Sequence, residues 1–196
     1  PRRGWTRGAP GRARAVIDAE RRALGLLYLT AFSHGLVSVG FVTTASFLRG
    51  PLGMSDVDYG LIYLPFFAAS GLGNLIAPRA RHALGGHAVF ALGMAIASLA
   101  YALLLIVRLL EPPLARSLLY VAAGCLGGGT GFCGVVLNAG VLERPTRAGE
   151  NPVVLLHGTL GLGACIAPAL AVMLRDWVSP YAFAAFGCLV LSAEGA

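Results

Sequence analysis

The chain has 196 residues, 57% of them apolar and only 12% charged, with 27 glycines. Soluble domains sit nearer one half apolar and one quarter charged, so the composition is that of a polytopic membrane protein and soluble domain counting does not apply. The net charge of +6 is carried by arginine in an N-terminal tail and short loops, so it does not call for a nucleic-acid partner.

In chain order, residues 1–23 form an Arg-rich tail holding Arg2, Arg3, Arg7, Arg12, Arg14, Arg21 and Arg22. We read it as disordered, solvated and cytoplasmic, with a grip on anionic lipid as the alternative. A hydrocarbon core about 30 Å thick is crossed by roughly 20 apolar residues of helix. That criterion predicts transmembrane spans over residues 24–48, 59–78, 87–107, 117–142 and 152–174. A sixth run, 180–196, opens on Pro180, where a first-turn proline sacrifices no hydrogen bond, and is short for a span. The expectation is a six-helix bundle over 24–196, truncated in its sixth helix and cut from a longer protein.

Orientation follows from arginine bias. The tail, Arg79, Arg81, Arg144 and Arg147 outweigh Arg49, Arg108, Arg116 and Arg175 on the opposite side, which predicts a cytoplasmic N-terminus in a plasma or inner membrane. The first apolar stretch is too long for a signal-peptide core.

Polar and small residues inside the spans carry the remaining information. His34 lies about ten residues into the first span, in AFSHGLVSVG. In the fourth, GCLGGGTGFCG sets Gly124 with Gly128 and Gly127 with Gly131 at a spacing that shares a helix face and permits close backbone approach. No Gly-Lys-Ser/Thr follows, so a phosphate loop is not expected. The fifth, NPVVLLHGTLGLGACIAPAL, repeats the theme with His157, Gly158, Gly161, Gly163 and Pro168. Cys125, Cys133, Cys165 and Cys188 fall in apolar runs without paired spacing, which argues against a zinc site or a disulfide framework; they read as small packing residues, and no metal or cofactor is expected.

Two stretches resemble the major facilitator superfamily of transporters. LGMSDVDYGLIYLPFFAASGLGNLIAP is similar to that family's passage from helix one into helix two, with Gly60 at the helix start. RARHALGGHAVFALG is similar to its helix two to three signature, Gly85 taking the loop glycine and Gly93 the glycine eight residues on. The signature's acidic position falls at His82 and one basic position at Gly86, so the cytoplasmic charge network is expected to be weakened or differently built. GTGFCGVVLNAGVLE and the fifth-span pattern further resemble the fucose-permease and sodium-dependent-glucose-transporter-like branch, matched at Asn138, Asn151, His157, Gly158, Gly161, Gly163 and Pro168.

The resemblance implies the N-terminal half of a twelve-helix transporter that moves a small polar solute, such as a sugar, by alternating access. Its partners would be that solute, the lipid bilayer and the C-terminal half. His34, Asn138 and His157 become candidate substrate-binding residues, because polar groups inside a membrane usually face the bundle interior or a water-filled cavity. Gly85, Gly93, Gly124, Gly128, Gly161, Gly163 and Pro168 become candidate gating and packing residues. The competing reading for the polar residues is an interhelical hydrogen bond without substrate contact.

Asp56, Asp58, Glu111, Glu143, Glu150 and Asp176 all fall at span ends or in loops, so coupling to protons through a mid-span carboxylate is not supported. His34 has the residue type to titrate near neutrality. AASG at 68–71 resembles the serine motif of rhomboid-like proteases, but neither His34 nor His157 is spaced to serve Ser70 as a base, so no enzyme is expected. The alternative function is a non-transporting scaffold or receptor-like pseudotransporter.

Overall fold

The computed structural model describes residues 10–143 and 151–173, and these form helices and connecting turns with no strand among them. In order they are α1 Pro10–Leu48, α2 Asp56–Leu61, α3 Tyr63–Leu84, α4 Gly86–Val107, α5 Pro112–Leu142 and α6 Pro152–Met173. Five stretches are long and apolar enough to cross a membrane: Arg22–Leu48 within α1, Asp56–Leu84 from α2 and α3 end to end, then α4, α5 and α6. This pattern is compatible with a multi-pass membrane protein. The sixth run, 180–196, and Arg144, Arg147, Asn151's preceding loop and Arg175 fall outside or at the edge of the described residues.

Two local features differ from the sequence expectation. The tail is helical from Pro10 onward, not disordered. Proline is tolerated in a first turn, and the Ala, Arg and Glu residues that follow are good helix formers. The second span is interrupted at Ile62, which closes α2 and opens α3 while its own backbone stays right-handed helical at φ −58° and ψ −31°. Pro65, in the first turn of α3, has no N–H to return to the preceding turn, so the break costs little where it falls. Ser55 caps α2 with a reciprocal box: its hydroxyl accepts from the Asp58 N–H at 3.1 Å, and the Asp58 carboxylate accepts from the Ser55 N–H at 3.0 Å. Pro78 and Pro168 sit inside α3 and α6.

Packing is organised around α5, which lies along both α3 and α4, while α1 lies along α6 and makes lighter contact with α5. Two apolar clusters are stacked along the bundle. One joins Phe41, Leu48, Leu104, Val107, Leu119 and Leu126 toward the end where α1 and α4 finish. The other joins Ala31, Phe90, Met94, Leu137, Val141 and Leu156 toward the opposite end. Phe41 meets Tyr101 edge-on at 5.8 Å, and the Tyr101 hydroxyl donates to the Val37 carbonyl, fixing α1 against α4. A single residue, Gly85, joins α3 to α4 in the left-handed region at φ 84°, where a side chain would be strained.

Candidate functional site

The helices meet where glycine leaves room for backbone. A β-carbon on Gly35 of α1 would collide with the Leu160 carbonyl and crowd the Ala164 N–H of α6 at 3.1 Å; one on Gly163 of α6 would collide with the Phe32 carbonyl and with the Leu36 N–H at 2.9 Å. At the α3–α5 seam, a β-carbon on Gly131 would meet the Ser70 carbonyl at 2.5 Å and the Asn74 N–H at 3.1 Å; one on Gly73 would meet the Gly128 carbonyl at 2.8 Å and the Phe132 N–H at 3.3 Å. Gly127 is closed in the same way by the Phe66 carbonyl.

These two seams are made by corresponding residues. Leu160, Gly163 and Ala164 of α6 stand 90 positions after Ser70, Gly73 and Asn74 of α3, while Gly128, Gly131 and Phe132 of α5 stand 96 positions after Phe32, Gly35 and Leu36 of α1. The sequence carries the same correspondence as GLGNLIAP at 71–78 and GLGACIAP at 161–168. In the resemblance to the transporter superfamily, the first octet falls in the loop-to-helix stretch and the second in the fifth-helix pattern.

Gly93 and Gly129 form a third close approach, between α4 and α5, with a Gly93 β-carbon 2.9 Å from the Gly129 carbonyl. Gly124 and Gly128 have only ordinary contact with Pro65 and Ala69 of α3, and Gly158 and Gly161 have open space where a side chain would be.

His34 is 7% exposed, and its ring makes no hydrogen bond among the described residues, although the serines around it are satisfied. Ser33 donates to the Leu29 carbonyl at 2.9 Å and Ser38 to the His34 carbonyl at 2.8 Å, the usual return of a hydroxyl to its own helix. Asn138 is half-buried and donates from Nδ2 to the Gly134 carbonyl at 2.8 Å, within α5. His157 is exposed on α6, and no hydrogen bond among the described residues joins it to Asn138 or His34. Asn151 caps α6, its Oδ1 accepting from the Val154 N–H at 3.2 Å. The three candidate polar residues therefore occupy three helices without forming one hydrogen-bonded cluster.

Asn74, absent from the sequence-based candidates, is exposed midway along α3. The rule that singled out Asn138, a polar side chain inside an apolar span, applies to it equally.

The polar ends of the bundle are differently built. At one, Arg81 reaches from α3 to Glu143 past the end of α5, its Nη2 lying 2.6 Å from Oε1 and bonding Oε2 as well. That bond holds the Glu143 carboxyl below its ordinary value near 4.5. A cavity of about 310 Å³ lies beside it, lined in part by Leu27, His87 and Gly140. At the other end, Arg116 donates to the Leu52 carbonyl at 2.7 Å and the Gly53 carbonyl at 3.0 Å, and Arg49 pairs with Asp56. A cavity of about 430 Å³ opens there between the ends of α1 and α4. Neither His34, Asn138 nor His157 lines either cavity. Set against known protein families, curated proteins and solved structures, the chain matches none of them.

Proposed function

We propose that the chain is one half of a solute transporter of major-facilitator type, working by alternating access on a small polar solute such as a sugar. The observation that carries this reading is the correspondence of the two seams. If spans one to three repeat as spans four to six, a contact between spans one and five must reappear between spans four and two. The seams α1–α6 and α3–α5 are related in that way at Gly35 with Gly163 and Gly131 with Gly73, while Gly127 adds a notch to the second seam where α1 has Ala31. Nested three-span repeats, with a solute site near the membrane midplane between two such halves, are the plan of this transporter architecture.

The exposed surfaces support the same reading. Spans two and five, the pair exchanged by the repeat, present Gly71 and Asn74 on α3 and His157, Gly158 and Gly161 on α6. An amide and an imidazole facing hydrocarbon are costly, so these faces suit a second body of protein or a water-filled path better than lipid. His34 is the candidate solute contact on depth and on its unpartnered ring; Asn138 and His157 stand as candidates lining the path. The Arg81–Glu143 pair supplies a charged tie between the last turn of α3 and the residue that follows α5, the acid coming from the end of span four where the signature position holds His82.

The test is uptake of labelled hexoses and polyols by proteoliposomes containing the full-length protein. Saturable uptake that is competed by unlabelled solute is the expected result. Lipid-tight vesicles that take up none of the panel above protein-free controls would favour a scaffold instead.

A further inference from the structure

We propose that the middle of the seam between α1 and α5 is the solute site of this half, and that it takes a neutral polyhydroxylated solute through the solute's own O–H groups. The inference rests on the transport reading and narrows it to named residues and a charge class.

Register comes first. Leu27, Ala31, His34, Ser38 and Ala45 recur on α1 at the three-, four- and seven-residue steps that share a helix face. Ala123, Thr130, Gly134, Leu137 and Val141 do the same on α5. Near one end of the seam, a β-carbon on Gly140 would stand 3.4 Å from Leu27 Cδ1, and Ala31 shares a cluster with Leu137 and Val141. Toward the other end, Ala45 and Ala123 line one small hollow with Phe41. The two helices therefore run antiparallel, with His34 level with Gly134 and Ser38 level with Thr130. The repeat relates the same four residues, His34 to Thr130 and Ser38 to Gly134.

The seam is sealed toward its ends and open at its centre. Ala31, Leu137, Ala45 and Ala123 are buried, whereas Ser38, Thr130 and Gly134 are half-buried, and a β-carbon on Gly134 would meet nothing within 4 Å. His34, 7% exposed, stands at that opening with its ring bonded to nothing among the described residues. Thr44 and Ser98 hold the enclosed side-chain oxygens that lack a partner; the His34 nitrogens are not enclosed in that way and keep accessible surface.

The polar atoms around the opening are of one kind. Ser38 spends its proton on the His34 carbonyl and Thr130 on the Gly127 carbonyl, each at 2.8 Å. One turn along α5, Asn138 spends an Nδ2 proton on the Gly134 carbonyl at 2.8 Å. What these three side chains have left is chiefly acceptor oxygen, Oγ, Oγ1 and Oδ1, while a neutral imidazole adds one donor and one acceptor. None of the four carries a fixed charge. An anion would face acceptors, and a cation would leave water without meeting a counter-charge, which is costly inside a membrane. A neutral solute with several O–H donors satisfies the set.

The experiment is uptake by proteoliposomes of the full-length protein, with labelled glucose, mannitol, gluconate and glucosamine, beside unfolding midpoints in detergent with each solute. Glucose or mannitol is expected to be carried and the two charged solutes refused. Ser38→Ala and Thr130→Val each remove one acceptor and should raise KM about five-fold with an unchanged midpoint. Gly134→Leu fills the opening and should abolish uptake while the midpoint holds, because the new side chain enters open space. Thr43→Val, on another face of α1, should leave KM as it is. Uptake that survives all three seam variants overturns this site and leaves the transport reading standing. A preference for gluconate or glucosamine also overturns it, as does an equal KM rise in Thr43→Val or a midpoint that falls together with uptake in Ser38→Ala and Thr130→Val. A parent protein that neither carries nor is stabilised by any of the four solutes overturns the transport reading and the site together.

Discussion

The α1–α6 and α3–α5 seams are two versions of one joint, and they differ in what stands beside the glycines. In both, a glycine on each helix admits the other's backbone, through Gly35 and Gly163 in one and Gly131 and Gly73 in the other. Beside Gly35 stands His34, buried with no partner for its ring. At the corresponding place beside Gly131 stands Thr130, whose hydroxyl donates to the Gly127 carbonyl of its own helix at 2.8 Å. A joint that needed only to hold would use the self-satisfied residue twice. The difference separates what the seam requires for packing, glycine, from what one copy carries in addition, an imidazole.

The strongest way to break the comparison is to fill the notches. Gly163→Leu and Gly73→Leu force a side chain into a facing backbone, and each should cost about 3 kcal/mol or more by overpacking. Similar losses in yield and unfolding temperature are expected from the two. A large loss from one and none from the other would dissolve the equivalence.

Exchanging the differing residue sharpens it. His34→Thr places the counterpart's residue in α1, where its hydroxyl can return to its own helix, so the protein should fold with an unchanged midpoint. Under the transport reading, solute affinity falls by the worth of one buried polar contact, about 1–3 kcal/mol. Proteoliposome uptake kinetics read this directly, and unaltered kinetics would assign His34 to packing.

A smaller effect is expected at the charged tie. The Arg81 bond lowers the Glu143 pKa in the folded state, so its contribution is present above the ordinary carboxylate range and lost as pH falls through the folded-state value. The unfolding midpoint of Glu143→Gln should lie slightly below the parent at pH 7 and converge with it in acid, the gap being small because the pair is solvent-exposed. The smallest effects belong to the open glycines: Gly161→Ala and Gly71→Ala meet nothing within 4 Å and should leave the midpoint within about 0.5 kcal/mol of the parent.

Hydrophobic run length made the five described spans legible, because lipid demands an uninterrupted apolar helix and composition alone records that demand. Four-residue glycine spacing announced close packing but not its partners. Gly127 and Gly131 are notched by α3 while Gly124 and Gly128 are not, although the two pairs share one spacing. Which face meets a neighbour depends on helix rotation, which the run does not encode. The Arg81–Glu143 tie was invisible for a similar reason: 62 positions separate its members, and only the folded bundle brings them together. The duplicated octets were readable, yet their meaning emerges when Gly73 and Gly163 are seen to fill the same role.

The one-residue joint at Gly85 sets how motion passes through the molecule. With α3 ending at Leu84 and α4 beginning at Gly86, there is no slack between the two helices to take up a displacement. A tilt of α3 is handed to α4 as a turn about a fixed pivot, and α5, packed along both, is carried with them. The connection over 49–55 is longer, but Arg116 clamps two of its carbonyls to α5, so that end travels with the same body. The trio α3, α4 and α5, with the 49–55 connection held to it, therefore behaves as one body, and the α1–α6 pair meets it chiefly through the lighter contacts that both make with α5.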